Sequence, residues 1–406
     1  MLHVLGNTVP MVSGIVTAPF TARALGVEGR AVVVVVTTVS VGLLILGTFG
    51  LGWITRQELS RGMSSARDWK QRALTVDATS FLPSIAAGAA LAWVLGVGGH
   101  VVAPLIVVIS LSMLSALRAV WANMLIASGR AWGYGVANLS ATTFVVFATV
   151  GAYVLQLLTL ASALWIQAGG LAIQTSLVAL LAERIPHARG IGRASRGWLR
   201  AWFPRIRKSV GGQIVDFVVG RSDLIVVALV GTSFQLGLYS VPGLIPVVVY
   251  QITVTVIQHS WAPGVAKDTA ARIGISWRVS VLVGTFASIV GGLGVWLVFL
   301  PLFGEQFEGS VDYIVPACAM AAGIAAIVPA VQHAATSDGG SLVVWSTLGA
   351  VLVNALVARG LGWHVADAVV VLAVTLVLVG ATYTARSAGV GALLPRPREL
   401  IRFVRG

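Results

Sequence analysis

The feature that most constrains this chain is a succession of apolar runs, each about 20 residues long, repeated from residue 4 to residue 384. An α-helix rises about 1.5 Å per residue and a bilayer's hydrocarbon core is about 30 Å thick, so each run can cross a membrane as a helix. A helix satisfies its own backbone polar groups, which lipid cannot do. A membrane β-barrel would need strands of about 10 residues with strict apolar alternation, and these runs do not alternate. Composition agrees: 57% of residues are hydrophobic and 10% are charged, against about 25% charged in soluble domains. The expected fold is all-α and polytopic.

Reading apolar runs against breaks predicts twelve spans, at 4–24, 31–54, 76–97, 102–126, 135–156, 160–182, 209–231, 238–258, 279–300, 311–332, 341–359 and 364–384. The breaks alternate in charge. Residues 55–72, 183–210 and 386–406 are rich in Arg and Lys, whereas "GVGGH", "LTL", "GTSFQLG" and the acidic "FGEQFEGSVD" are not. Basic loops stay on the cytoplasmic side, which predicts that both termini are cytoplasmic. Arg23 and Arg30 fall on the outer side and are outvoted by the longer loops. The stretch "PRPRELIRFVRG" is expected to lie on the membrane surface as a short amphipathic helix.

The net charge of +13 is accounted for by these loops, which fix topology and meet anionic headgroups, so no nucleic-acid partner is expected. Cys318 is the one cysteine, which excludes an intrachain disulfide and a paired-Cys metal site. No basic stretch precedes the first apolar run, so that run is read as a retained span rather than a cleaved signal. There is no Walker A, HExxH or EF-hand pattern, and the six histidines are scattered. The outer loops are too short to build a catalytic domain. The chain is therefore read as a non-enzyme with no cofactor, membrane lipid being its surroundings.

The basic segment divides the spans six and six. The predicted organisation is an N-terminal six-helix lobe at 1–182, a basic cytoplasmic linker at 183–208, a C-terminal six-helix lobe at 209–384 and a basic tail at 385–406. The junctions "ALGVEGRAVVVVV" and "LVGTSFQLGLYSVPGL" share a helix end, a Gly, a short polar loop, another Gly and a new span. That similarity suggests two parallel repeats, an arrangement suited to alternating access.

Ionisable groups inside spans are costly and call for a wet path or a partner; one at the bilayer centre costs at least about 2.5–3.5 kcal/mol. The seventh span holds Asp216, Arg221 and Asp223 in "VDFVVGRSDLIVVALVG". Arg221 lies about 18 Å along that span, near its middle. Gln213, Asp216, Gly220 and Asp223 share one helical face and Arg221 projects from another. Arg221 then needs an anion elsewhere, either an acid on a neighbouring span or an anionic ligand. Arg118, in the fourth span, either snorkels to the interface beside Trp121 or holds a ligand. Two uncharged polar stripes stand out: Asn7, Gly14, Thr17 and Thr21 in span one, and Tyr239, Pro242, Pro246, Tyr250 and Thr253 in span eight. Such stripes suit a sugar-binding cavity, and equally suit helix packing. Gln167 and Gln174 share a face of span six.

Three segments carry a family resemblance: "ARALGVEGRA" (22–31), "RSDLIVVALVGTSFQLGLYSVPGLI" (221–245) and "LFGEQFEGSVDYIVPACAM" (302–320). In order and spacing across the whole chain they resemble the polysaccharide-export, Wzx-type branch of the MOP flippase superfamily, relatives of MATE transporters and lipid II flippases. Val241-Pro242 departs from the small residue more usual there. The resemblance implies twelve helices in two lobes and a cavity that opens alternately to each side of a bacterial cytoplasmic (inner) membrane. It implies a polyprenyl-pyrophosphate-linked oligosaccharide as cargo, for surface polysaccharide biosynthesis, with polysaccharide polymerase and chain-length proteins as partners. On that reading Arg221 and Arg118 hold the pyrophosphate through their forked donors. Asp216, Asp223, Asn7, Thr17, Gln213, Tyr239 and Tyr250 complete the expected cavity set, and an H+ or Na+ gradient or downstream consumption supplies energy. The rival is a cation-coupled MATE-type multidrug or metabolite antiporter, for which Asp216 and Asp223 would serve. A major-facilitator carrier lacks its signature loop here, and a scaffold without transport would not need charges inside its spans.

Overall fold

The computed structural model describes residues 2–61, 66–185, 197–260, 269–336 and 341–393. Every regular element among them is helical. The long helices are α1 (Leu2–Thr48), α3 (Ala66–Val94), α6 (Ala131–Val154), α7 (Leu160–Glu183), α8 (Trp198–Val230), α11 (Thr269–Gly294), α13 (Ile314–Thr336), α14 (Ser341–Gly360) and α15 (Val365–Ala388). Shorter ones are α2 (Leu51–Arg61), α4 (Val102–Met113), α5 (Ala116–Ala127), α9 (Ser233–Tyr239), α10 (Leu244–Ser260) and α12 (Leu300–Phe303). The chain forms two compact units, Met1–Ile214 and Val215–Gly406, and α8 runs through the division.

Seven described helical stretches are long and apolar enough to cross a membrane, or nine with two bent pairs each counted as one. One of them, Ser13–Thr48, carries two predicted spans, because α1 leaves helical geometry at Gly26 (φ 71°, ψ −177°). Only glycine adopts that backbone without strain. Arg30 donates through Nη1 to Thr21 Oγ1 at 3.0 Å. Nine residues of straight helix would separate those positions by about 13 Å, beyond the reach of both side chains, so the chain folds back at Gly26. The two predicted spans left over lie on α8, with three ionisable groups in its apolar half, and on α14.

Two predicted spans are broken rather than continuous. Residues 102–126 form α4 and α5, bent by 47° around Leu114 and Ser115. Residues 238–258 straddle α9 and α10, bent by 52° across Ser240–Gly243. Pro242 has no N–H for a helical ladder, and a helix through Gly243 is weakly favoured, so the chain restarts at Leu244. The stripe read along span eight is therefore not one helical face: Tyr239 ends α9, while Tyr250 belongs to α10. Of the predicted linker, the portion from Trp198 onward is already helix α8. The predicted surface helix at 395–406 lies outside the described residues.

Short connections carry local signals. Thr159 caps α7 through Ser162 and Thr232 caps α9 through Gln235, each as a reciprocal capping box. The acidic loop is a 3-10 turn at Glu305–Tyr313, entered through Gly304 at φ 95°. Phe307 stacks edge-on with Phe303, and Ser310 donates to the Leu238 carbonyl at 2.8 Å, which pins the loop to α9.

In the first unit, one core cluster gathers Leu51, Trp69, Val120, Met124 and Ile206, and a second gathers Val36, Leu105, Ile109 and Leu164. In the second unit α13 is the interior helix: 72% of its apolar window is buried, against 17–39% in the other single spans. Lipid gives apolar side chains little reason to cluster, so close packing of small residues holds such helices together. A Cβ on Gly380 of α15 would stand 2.4 Å from the Ala326 carbonyl oxygen of α13, and one on Gly47 of α1 would stand 1.9 Å from that of Met113.

Candidate functional site

The ionisable groups gather in two clusters, one in each unit. The C-terminal cluster is built on α8. Asp216 accepts from Gln332 Nε2 of α13 at 2.7 Å and from the Tyr250 hydroxyl of α10. The Tyr250 ring also lies against Gly220, one turn on. Asp223 accepts from the Tyr239 hydroxyl at 3.1 Å, and both residues are fully buried. Among the described residues no side chain donates to the second carboxylate oxygen of Asp223. Tyr239 in turn meets the Tyr313 ring edge-on at 6.0 Å.

Arg221 is half-buried beside these groups. Asp223 and Tyr250 are its electrostatic neighbours, yet among the described residues it forms no ion pair within 4.0 Å and no side-chain hydrogen bond. Its forked donors are therefore free to take a planar or tetrahedral oxyanion. Gln213, further toward the start of α8, is also half-buried.

The N-terminal cluster surrounds the break between α4 and α5. Asp77 of α3 accepts the backbone N–H groups of Ala116 and Leu117, both at 3.0 Å, and so caps α5 from a neighbouring helix. Arg118, buried one residue beyond, donates to Gln174 Oε1 of α7 at 3.1 Å, and Gln174 donates to Asn138 Oδ1 of α6 at 2.5 Å. One terminal nitrogen of Arg118 is left without a partner. Nearby, Lys70 is buried against Glu183 at 2.5 Å, and the Trp121 indole donates to the same carboxylate oxygen at 3.3 Å.

Of the nine residues expected to share a cavity, Asp216, Arg221, Asp223, Tyr239 and Tyr250 fall in one cluster and Arg118 in the other. Thr17 donates back to the Ser13 carbonyl at 2.8 Å on its own helix, and the side chain of Asn7 lies outside the described residues. Sequence reading missed Gln332, Asn138 and Asp77, each a polar residue inside an apolar run: Gln332 partners Asp216, Asn138 partners the Gln174 that holds Arg118, and Asp77 caps a bent helix. It placed Arg30 at an outer loop, whereas Arg30 is buried, with its Nε unpartnered. Among the described residues no group of three or more His, Cys, Asp or Glu is arranged to hold a metal ion.

No protein-family profile and no curated sequence matches the chain. Solved structures do. An inward-facing multidrug-resistance MATE family transporter of the MOP superfamily superposes with a TM-score of 0.69 at 14% identity, over 99% of this chain and 98% of the other. The outward-facing form of such a transporter gives 0.58 at 12%, over 100% and 94%. A MOP superfamily transporter from Pyrococcus furiosus, whose description speaks of a binding pocket of reversed polarity, gives 0.63 at 10%, over 99% and 94%. Likeness at such low identity, over nearly the full length of both chains, is likeness of fold: this chain has the all-helical, two-unit fold of the MATE transporters of the MOP superfamily.

Proposed function

We propose that the chain is a multi-pass transporter of a bacterial cytoplasmic membrane that flips a polyprenyl-pyrophosphate-linked oligosaccharide by alternating access. The observation that carries this reading is Arg221: a guanidinium in the apolar half of α8, half-buried, with no ion pair within 4.0 Å among the described residues. A charge without a direct ion-pair partner is costly there, and an anionic headgroup would add to the attraction that Asp223 supplies. Asp216 and one carboxylate oxygen of Asp223 are turned to the protein donors Gln332, Tyr250 and Tyr239. The Arg118–Gln174–Asn138 chain gives a second cation in the other unit. The fold shared with MATE transporters supports alternating access and is neutral about cargo.

The second reading, a cation-coupled MATE-type antiporter, is favoured by the acids Asp216 and Asp223 on α8 and by the likeness to a multidrug-resistance MATE transporter. One experiment separates the two. Cells depleted of the protein are complemented with wild type or Arg221→Ala, and their polyprenyl-linked glycans and surface polysaccharide are measured. Accumulated lipid-linked glycan, corrected by wild type and not by Arg221→Ala, is the expected result. An unchanged lipid pool with new sensitivity to cationic drugs would replace the flippase by the antiporter.

A further inference from the structure

The start of α8 has a surface that no transport role uses. Trp198, Trp202 and Ile206, at every fourth position, pack on the core of the first unit. Arg72 of α3 lies 4.4 Å above the Trp69 ring and 5.7 and 5.8 Å from those of Trp198 and Trp202, and Arg205 lies 4.8 Å over Trp202 and 3.5 Å from Glu58. This first segment of the helix is therefore clamped to the first unit along one stripe. The adjacent stripe is apolar and bare: Leu199 is 43% exposed and Phe203 is 52% exposed. At about 100° per residue, Arg200 lies beyond it, whereas Arg205 flanks the clamped stripe on its other side; both are exposed. Between Arg184 and Lys208 the sequence carries eight Arg or Lys and no Asp or Glu.

We infer that the Trp198–Arg205 segment is a membrane-surface element, with Leu199 and Phe203 dipping among acyl chains and Arg200 contacting the phosphates of anionic phospholipid. The apolar–basic division matches that of interfacial helices. Each Lys or Arg near an anionic leaflet adds attraction, and the basic stretch concentrates it here. Water is a poor partner for Phe203 and a protein partner is a poor match for so dense a positive charge, whereas the headgroup layer fits both. The segment continues without interruption into the apolar half of α8, so the same helix enters the bilayer a few turns later.

The test uses the full chain in vesicles. Cys318→Ser supplies a cysteine-free background, and Leu199→Cys is labelled with an environment-sensitive fluorophore. Vesicles of phosphatidylcholine alone are compared with vesicles containing one-third phosphatidylglycerol, using iodide as the aqueous quencher and brominated acyl chains as the lipid quencher. The expected result is lipid quenching at least about twofold stronger in the anionic vesicles, abolished by raised salt and by Arg200→Glu. Among the described residues Arg200 makes no side-chain hydrogen bond or ion pair, and unchanged circular dichroism checks that the variant folds. Equal iodide access in both vesicles would overturn the inference. So would shielding from both quenchers, which would mean that a second copy of the chain covers the segment.

Discussion

Two arginines inside spans have opposite surroundings. Arg118 is tied into a chain of amides, whereas among the described residues none holds Arg221. Gln174→Leu should therefore strand a buried cation and lower stability by about 1–3 kcal/mol, seen as an earlier thermal unfolding transition in detergent. Arg221→Ala should leave that transition almost unmoved while removing transport. Lys70 and Glu183 give a sharper test of pairing. Glu183→Ala leaves the buried ammonium alone and should cost about 1–3 kcal/mol, a discounted figure because Glu183 is 42% exposed. Adding Lys70→Met should recover most of that loss in a double-mutant cycle. At this scale the sequence announced the charges and withheld their partners. Asp216 and Arg221 stand out in an apolar run, but Gln332 lies 116 residues from Asp216, and no spacing rule joins them.

The helices depend on a few close approaches and on caps supplied from elsewhere in the fold. Asp77 holds the start of α5 from another helix, so Asp77→Ala should cost about 1–2 kcal/mol. It should also speed hydrogen exchange at the Ala116 and Leu117 amides ahead of the rest of α5. Gly380 meets the backbone of α13 where no side chain fits. Gly380→Val should push α13 and α15 apart, cost at least about 1–3 kcal/mol and lower the yield of monodisperse protein in size-exclusion chromatography. Hydrophobic runs predicted where helices lie, since each of the twelve predicted spans falls on a helix or a helix pair. They did not predict the breaks at Leu114–Ser115 and Ser240–Gly243, because an apolar run looks the same whether its helix is straight or bent. Pro242-Gly243 was the one legible warning. At Ser115 the bend depends on Asp77, which is distant in sequence.

For the whole molecule, the sequence specified class and approximate architecture through the repeated length of its apolar runs, a property of the bilayer as much as of the chain. That is why a shared fold survives at 14% identity or less: many residue choices satisfy the same apolar lengths and small-residue contacts. Cargo does not follow from those constraints, so the discriminating measurement is one of ligand linkage. Undecaprenyl pyrophosphate at about 100 times its dissociation constant should stabilise wild type by about 2.7 kcal/mol and raise its unfolding temperature. Arg221→Ala should show little of that rise, and a neutral polyprenol should produce none in either protein.

The fold-back at Gly26 has a bearing on how this chain can vary. Arg30 reaches Thr21 because one non-helical residue separates the two halves of α1. Each residue inserted between Gly26 and Arg30 would turn everything after it by about 100° about the helix axis and swing Arg30 away from its acceptor. Length should thus be invariant across this junction in any alignment of true relatives, and epitope tags or reporter fusions placed here should fail where the same insertion in a longer connection is accepted.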